Sequence, residues 1–156
     1  VGSEMCIRDR ESEDHGYRIP GSDVLTLLSG ELRPEMVNAL KIIKSRLKIG
    51  CITNNMRTRE GPSMARDTKR AALMHEVLST FDVVIESSKL GIRKPDPRIY
   101  VIACKEVGVK PENAVFLDDL GINLKPARAM GMHTIKVMTP PQALDELEKL
   151  LKFPLR

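Results

Sequence analysis

The sequence predicts an α/β protein with a Rossmann-like parallel sheet and helices on both faces. Two observations predict this fold. From Pro34 onward, short runs of apolar, β-branched residues alternate with longer segments of helical periodicity, and that alternation is typical of a parallel sheet joined by helices. The chain's 156 residues, 42% hydrophobic and 29% charged, are also enough for about one globular domain.

The first half of the predicted core contains two helices and two strands. Pro34 suits the first position of a helix, and the apolar residues after it recur at helical spacing: Met36, Val37, Leu40, Ile43 and Leu47. "KIGCITNN" predicts a short strand that ends in polar residues. Residues 64–79 predict a second helix, with a stripe through Ala71, Met74, His75 and Leu78. "FDVVIES" predicts the second strand.

The second half repeats this alternation. Asp96, Pro97 and Gly108 are suited to cap, open and close a helix. "AVFLDD" and "HTIKV" predict two more strands. Between them "NLKPARAMG" predicts a short helix, and "PQALDELEKLLK" predicts a final amphipathic helix. In the short helix we expect Asn123 as the cap, Pro126 in the first turn and Gly131 at the end.

Composition excludes several classes of partner. No apolar run approaches the roughly 20 residues of a membrane span, so no membrane partner is expected. The net charge of +4 comes from interleaved charges, and aromatic residues make up only 3%, so nucleic acid is not expected either. Cys6, Cys51 and Cys104 are widely spaced, which indicates a reducing compartment and a cytoplasmic location.

Polar residues follow three successive predicted strands. They are Thr53-Asn54-Asn55, then Lys94, then Asp118-Asp119. Parallel sheets bind ligands beyond the carboxyl ends of their strands, and a hydroxyl, an ammonium and two carboxylates suit a phosphate and Mg²⁺. Each residue alone has a simpler explanation as a strand end, a solvated lysine or a turn, and Asn123 could be only a helix cap. Their occurrence together favours a site.

Three of these segments resemble known motifs. "CITNN", "GIRKPDPRIY" and "VFLDDLGINLKPARAMGMHTIKV" resemble motifs II, III and IV of the haloacid dehalogenase superfamily, subfamily IA. The likeness extends over roughly residues 21–152 and is strongest to the phosphatase domain of soluble epoxide hydrolases and the related domain fused to some acyl-CoA dehydrogenases. It implies a Rossmann-like core with a helical cap inserted after the first strand. The implied reaction is Mg²⁺-dependent hydrolysis of a small phosphorylated metabolite through an aspartyl-phosphate.

The resemblance also implies roles for the phosphate-binding residues. Thr53 and the main chain of Asn54 would hold the phosphate. Lys94 would offset charge on the nucleophile and the phosphoryl group, and Asn123 would orient the rim of the site. Lys94 and Thr53 are accordingly the expected catalytic residues, and all four are expected to bind substrate.

The two adjacent acids would serve the metal. The resemblance implies that Asp119 ligates Mg²⁺ directly and that Asp118 lies behind it or acts through water. This explains why an apolar strand ends in two carboxylates, because unpaired buried charge would otherwise be too costly.

One family feature is missing from the sequence. Motif I is a strand ending in DxDx[TV] that supplies the nucleophile, and no DxD occurs in this chain. We therefore expect a fragment of a phosphatase that lacks the central first strand and most of the cap, and that is inactive although its parent is an enzyme. The expected divisions are 1–10 as adapter-derived sequence, 11–32 as a cap remnant and 33–156 as the core.

Three other functions share some of these features. A haloacid dehalogenase uses the same fold without metal, but the paired acids favour a metal-dependent phosphatase. A receiver domain also collects acids, a threonine and a lysine, but there the acidic pair comes first, so the order in this chain argues against it. A binding protein that has lost catalysis remains an alternative to a fragment of an enzyme.

Overall fold

The computed structural model describes residues 32–54 and 68–156. The expectations for residues 1–10 and 11–31, and for Asn55, lie outside the described residues. In the part of the chain that is described, no helix combines the length and apolar character needed to cross a membrane.

Helices and strands alternate along the described chain, as the sequence predicts. The helices are α1 (Pro34–Lys44), α2 (Thr68–Ser79), α3 (Ser87–Leu90), α4 (Pro97–Val107), α5 (Gly121–Ala129) and α6 (Pro140–Leu151). The strands are β1 (Gly50–Thr53), β2 (Val83–Glu86), β3 (Val115–Asp118) and β4 (His133–Lys136). A short 3₁₀ turn, Pro111–Asn113, precedes β3, and neither this turn nor α3 was predicted.

The ends of α4 follow directly from its sequence. The Asp96 side chain accepts a hydrogen bond from the main-chain N–H of Arg98 at 2.9 Å, and Pro97 occupies the first position of the helix. Gly108 ends it with φ +75°, a conformation that favours glycine. The predicted capping of this helix is therefore confirmed.

The predicted start of α5 is wrong. Leu120, not Asn123, is the cap residue, and the main-chain N–H of Asn123 donates to the Leu120 carbonyl at 2.9 Å. Asn123 lies inside the first turn because its side chain bonds to Asp118 instead of capping the helix. Pro126 consequently lies further into the helix than expected. Gly131 does follow the helix end, with φ +93°.

The four strands form two parallel pairs. β1 pairs with β2, from Gly50 opposite Val83 to Thr53 opposite Glu86. β3 pairs with β4 in the same way, and the last pair is Asp118 opposite Lys136. Parallel pairing is confirmed. Within residues 32–54 and 68–156, no ladder joins β1 to β3, and the expectation that the central first strand is missing stays a prediction.

The helices cover both faces of the strand pairs. Successive side chains of a strand point to opposite faces, and Leu117 packs into one apolar cluster while Phe116 packs into the other. The first cluster holds buried residues of α1 and α6, and the second holds buried residues of α4 and α5. Each cluster takes side chains from both halves of the molecule, so the two strand pairs share their cores.

Candidate functional site

The carboxyl ends of β1 and β3 carry the polar residues singled out in the sequence, and an ion pair lies at the tip of β3. The Lys94 ammonium lies 2.8 Å from Oδ2 of Asp118, and the two side chains are only 13% and 4% exposed. Lys94 comes from the loop between α3 and α4, so this contact joins that loop to the end of β3. A hydrogen bond between two charged groups is stronger than a neutral one, which helps to fix this geometry.

The other carboxylate oxygen of Asp118 is bound from α5. The Asn123 side-chain amide and the main-chain N–H of Leu120 each donate to Oδ1 at 2.9 Å. Burial raises the pKa of Asp118, but the hydrogen bonds from Lys94, Asn123 and the Leu120 N–H outweigh it, so that the pKa is lowered from its ordinary value. Asp118 is therefore held as a carboxylate in a buried position.

Asp119 has different surroundings. It is exposed, and among the described residues no hydrogen bond or ion pair reaches its side chain. The main chain after β3 turns directly into α5, which begins at Gly121. Asp119 thus presents a carboxylate beside a rim that Asp118 holds together.

Two aromatic residues support this rim from the core. The Tyr100 hydroxyl donates to the main-chain carbonyl of Asn123 at 2.7 Å, and the Tyr100 and Phe116 rings meet edge to face, 5.2 Å apart. Burial, with a smaller effect of the nearby Asp118 charge, raises the pKa of Tyr100 to about 12. The hydroxyl therefore stays protonated at neutral pH and donates a hydrogen bond to the main-chain carbonyl of Asn123.

At the tip of β1, Asn54 contacts the Lys94 loop. Its side-chain amide donates to the Lys94 carbonyl at 3.0 Å and accepts from the Lys94 N–H at 2.9 Å. Thr53, the residue before it, is half-buried and pairs with Glu86 in the strand ladder.

The predicted site residues are brought together only in part. Hydrogen bonds connect four of them in one chain: Asn54, Lys94, Asp118 and Asn123. Thr53 and Asp119 are next to members of this chain in sequence, but in the described part of the protein no side-chain hydrogen bond links them to it. Sequence reasoning missed the side-chain role of Asn54 and the hydroxyl of Tyr100, because nothing in a strand tip or a helical stripe marks either contact.

The carboxylates at the tip of β3 supply only part of the ligand set that Mg²⁺ needs. Mg²⁺ binds one or two carboxylates and fills its remaining positions with water and phosphate oxygens. Asp119 is an accessible carboxylate of this kind, whereas Asp118 is already bound by Lys94 and Asn123. Within the described ranges, no cluster of three metal-binding side chains occurs.

The fold and the rim define an α/β protein with a polar site at the carboxyl ends of parallel strands. Residues 7–131 match the family of haloacid dehalogenase-like hydrolases. The match covers more than half of the chain, and the chain therefore belongs to this family. The predicted resemblance is confirmed.

Curated relatives support the same family. The chain is 41% identical over 143 residues to acyl-CoA dehydrogenase family member 10 of Mus musculus, covering 88% of this chain and 12% of that protein. It is 37% identical over 146 residues to bifunctional epoxide hydrolase 2 of Sus scrofa, and the match covers 89% of this chain and 26% of that protein. Phosphatase MT3486 of Mycobacterium tuberculosis is 33% identical over 113 residues, and the match covers 72% of this chain and 49% of that protein. The chain thus spans less than half of each of these relatives.

Solved structures show the same fold. A HAD-like family hydrolase from Porphyromonas gingivalis superposes with a TM-score of 0.65 at 23% identity, covering 97% of this chain and 75% of that one. A HAD family enzyme from Bacteroides thetaiotaomicron, solved as a magnesium complex, gives a TM-score of 0.60 at 18% identity, covering 94% and 72%. Magnesium binding is therefore found within the family, and the likeness to these two structures concerns the fold.

Proposed function

We propose that this chain is part of a Mg²⁺-dependent phosphatase that hydrolyses a small phosphate ester through an aspartyl-phosphate. The observation that carries the proposal is the buried Lys94–Asp118 ion pair with the accessible Asp119 carboxylate beside it. The family membership and the similarity to a mycobacterial phosphatase support the same reaction.

The Lys94 ammonium can bind a phosphoryl oxygen and the Asp118 carboxylate at the same time. An ammonium group has three N–H donors, and the contact with Asp118 uses one of them. The other two are available to a phosphate at the rim. The Thr53 hydroxyl and the main-chain N–H of Asn54, both at the tip of β1, are the proposed donors to further phosphate oxygens.

Asp119 is the proposed direct ligand of Mg²⁺, and Asp118 supports it from behind while it stays bound to Lys94. The ion, when bound, would offset negative charge on the phosphate. Asn123 holds Oδ1 of Asp118 and so keeps the acid pair oriented at the end of β3. These are the roles that the family resemblance implies, with the addition that Asp118 is bound to Lys94.

The nucleophile is proposed to come from sequence that this chain does not contain. An aspartyl-phosphate mechanism needs a carboxylate that attacks the phosphorus atom and a second step in which water releases the phosphate. No DxD motif occurs in the 156 residues. We therefore expect this chain alone to be inactive, and the central first strand and most of the cap to belong to the full-length parent.

The experiment is a hydrolysis assay with p-nitrophenyl phosphate on the full-length parent, with and without Mg²⁺. Activity should require the ion. Asp119→Asn and Lys94→Ala should each lower kcat/KM by about 100-fold or more, since each removes stabilisation of charge in the transition state. Glu112→Gln, which changes an exposed acid on the 3₁₀ turn before β3, is the matched control and should leave the rate unchanged.

Two outcomes would contradict the proposal. Hydrolysis by the parent without any divalent ion would favour a metal-independent hydrolase of the same fold, such as a dehalogenase. Hydrolysis by the present chain alone, abolished by Asp119→Asn, would show that the nucleophile is already within these 156 residues.

A further inference from the structure

The side-chain amide of Asn54 binds both main-chain polar groups of Lys94. The amide N–H donates to the Lys94 carbonyl at 3.0 Å, and the amide oxygen accepts from the Lys94 N–H at 2.9 Å. The two residues are 40 positions apart in the chain. One exposed side chain therefore fixes the main chain of a distant loop residue.

This contact takes the place of a strand ladder at a point where the ladder has ended. The last ladder pair of β1 is Thr53 opposite Glu86. A side-chain amide carries the same donor and acceptor as a peptide group, so Asn54 can pair with Lys94 as a neighbouring strand would. Two hydrogen bonds from one residue restrain both the position and the orientation of the Lys94 main chain.

The position of the Lys94 main chain matters because its ammonium lies at the end of a flexible stem. Ordering a lysine side chain costs rotamer entropy. Here the ammonium reaches Asp118 at 2.8 Å and lies 5.8 Å from the centre of the Phe116 ring. The stem is thus fixed at its base by Asn54 and at its tip by Asp118.

The same contacts connect the two halves of the site. Within the described residues no ladder joins β1 to β3, yet Asn54 follows β1 and Asp118 ends β3. Lys94 bonds to both residues. The chain Asn54–Lys94–Asp118 is therefore a polar link from the tip of one strand pair to the tip of the other.

We infer that Asn54 is a positioning residue for Lys94: its side-chain amide sets the main chain from which the ammonium reaches the Asp118 rim. The role of the ammonium in binding phosphate rests on the function proposed above, whereas the positioning of Lys94 by Asn54 does not. The role is separate from that of the Asn54 main-chain N–H, which the phosphatase proposal assigns to phosphate and which every substitution here retains.

The test compares Asn54→Ala with Asn113→Ala in the present chain. Asn113 is an exposed asparagine on the 3₁₀ turn at the amino end of β3. One readout is hydrogen exchange of the Lys94 amide by NMR, and the other is acetylation of Lys94 by limiting acetic anhydride, measured by mass spectrometry against exposed Lys105 as internal reference. Both report on Lys94 rather than on overall folding.

In Asn54→Ala the Lys94 amide should exchange about fivefold faster, the factor that corresponds to about 1 kcal/mol, and Lys94 should be acetylated several-fold faster relative to Lys105. Asn113→Ala should change neither. Asn54→Asp keeps the acceptor for the Lys94 N–H but loses the donor to its carbonyl, so it should retain amide protection while acetylation rises to an intermediate rate. Unchanged exchange and acetylation in Asn54→Ala would overturn the inference.

A second arm keeps this inference distinguishable from the phosphatase proposal. Inorganic phosphate and Mg²⁺ are added during acetylation of the unsubstituted full-length parent, in which the proposed site is complete, and a phosphate bound at the rim should slow the modification of Lys94. If phosphate gives no protection while Asn54→Ala still accelerates acetylation, the positioning role stands and the phosphate assignment fails.

Discussion

The two sides of the tip of β3 have the same chemistry in the sequence and opposite surroundings in the fold. On the inner side Asp118 is buried, with hydrogen bonds from Lys94, Asn123 and the main chain of Leu120. On the outer side Asp119 is exposed. Two adjacent acids can therefore have separate roles. The inner acid holds the rim together, and the outer acid remains accessible to a cation.

The largest expected effect is on stability, from removing the inner acid. Asp118→Leu would leave the mostly buried Lys94 ammonium without its counter-charge and two donors without an acceptor. Breaking a buried ion pair in this way costs about 3–5 kcal/mol. Urea unfolding should show a loss of that size, whereas Asp119→Leu at the exposed neighbour should change the free energy of unfolding by no more than about 0.5 kcal/mol. Equal losses at the two positions would contradict the comparison.

Acid should reveal the same asymmetry. The pKa of Asp118 in the folded state lies below its ordinary value of 3.8, so the unfolded state binds the proton more readily. The stabilisation from Asp118 is fully present above pH 3.8 and is lost as the pH falls through the lowered folded-state pKa. Free energies of unfolding measured between neutral pH and that acid range should fall less steeply in Asp118→Asn than in the unsubstituted chain. An identical slope would show that Asp118 does not carry this dependence.

A smaller effect is expected from the support beneath the inner acid. Tyr100→Phe keeps the edge-to-face contact with Phe116 and removes only the hydroxyl that donates to the Asn123 carbonyl. The cost should be about 1 kcal/mol, as for a typical hydrogen bond, measured by urea unfolding. An unchanged free energy of unfolding in Tyr100→Phe would contradict this supporting role.

The sequence predicted the elements better than their assembly. Pro34, Asp96 and Gly108 signal helix ends by local chemistry, and each is found where expected. The separation of the described strands into two pairs could not be derived from the strand signals themselves, because strand pairing depends on partners distant in the chain. The prediction of Asn123 as the helix cap was wrong because its side-chain amide can either cap a helix or donate a hydrogen bond to Asp118. Only the fold decides between these two roles.

The site was predictable to a similar extent. Residue types at three strand ends indicated Thr53, Lys94 and the acid pair as candidates, since parallel strands bring their carboxyl ends together. The alternation of a strand alone could not show which of the two adjacent aspartates is buried, because a shift of one residue exchanges their surroundings. Only the family resemblance placed Asp118 behind Asp119. The Asn54 amide contact was equally invisible, since it depends on a loop 40 residues away.

Lys94 is coupled to Asp118 and not to Asp119, and a pair of double-mutant cycles measures both couplings. Lys94→Met is combined with Asp118→Asn in one cycle and with Asp119→Asn in the other, and each free energy of unfolding is measured in urea. We expect a coupling energy of about 2 kcal/mol between Lys94 and Asp118, as for hydrogen bonds to charged groups, and less than about 0.5 kcal/mol between Lys94 and Asp119. A coupling to Asp119 that equals or exceeds the coupling to Asp118 would contradict it.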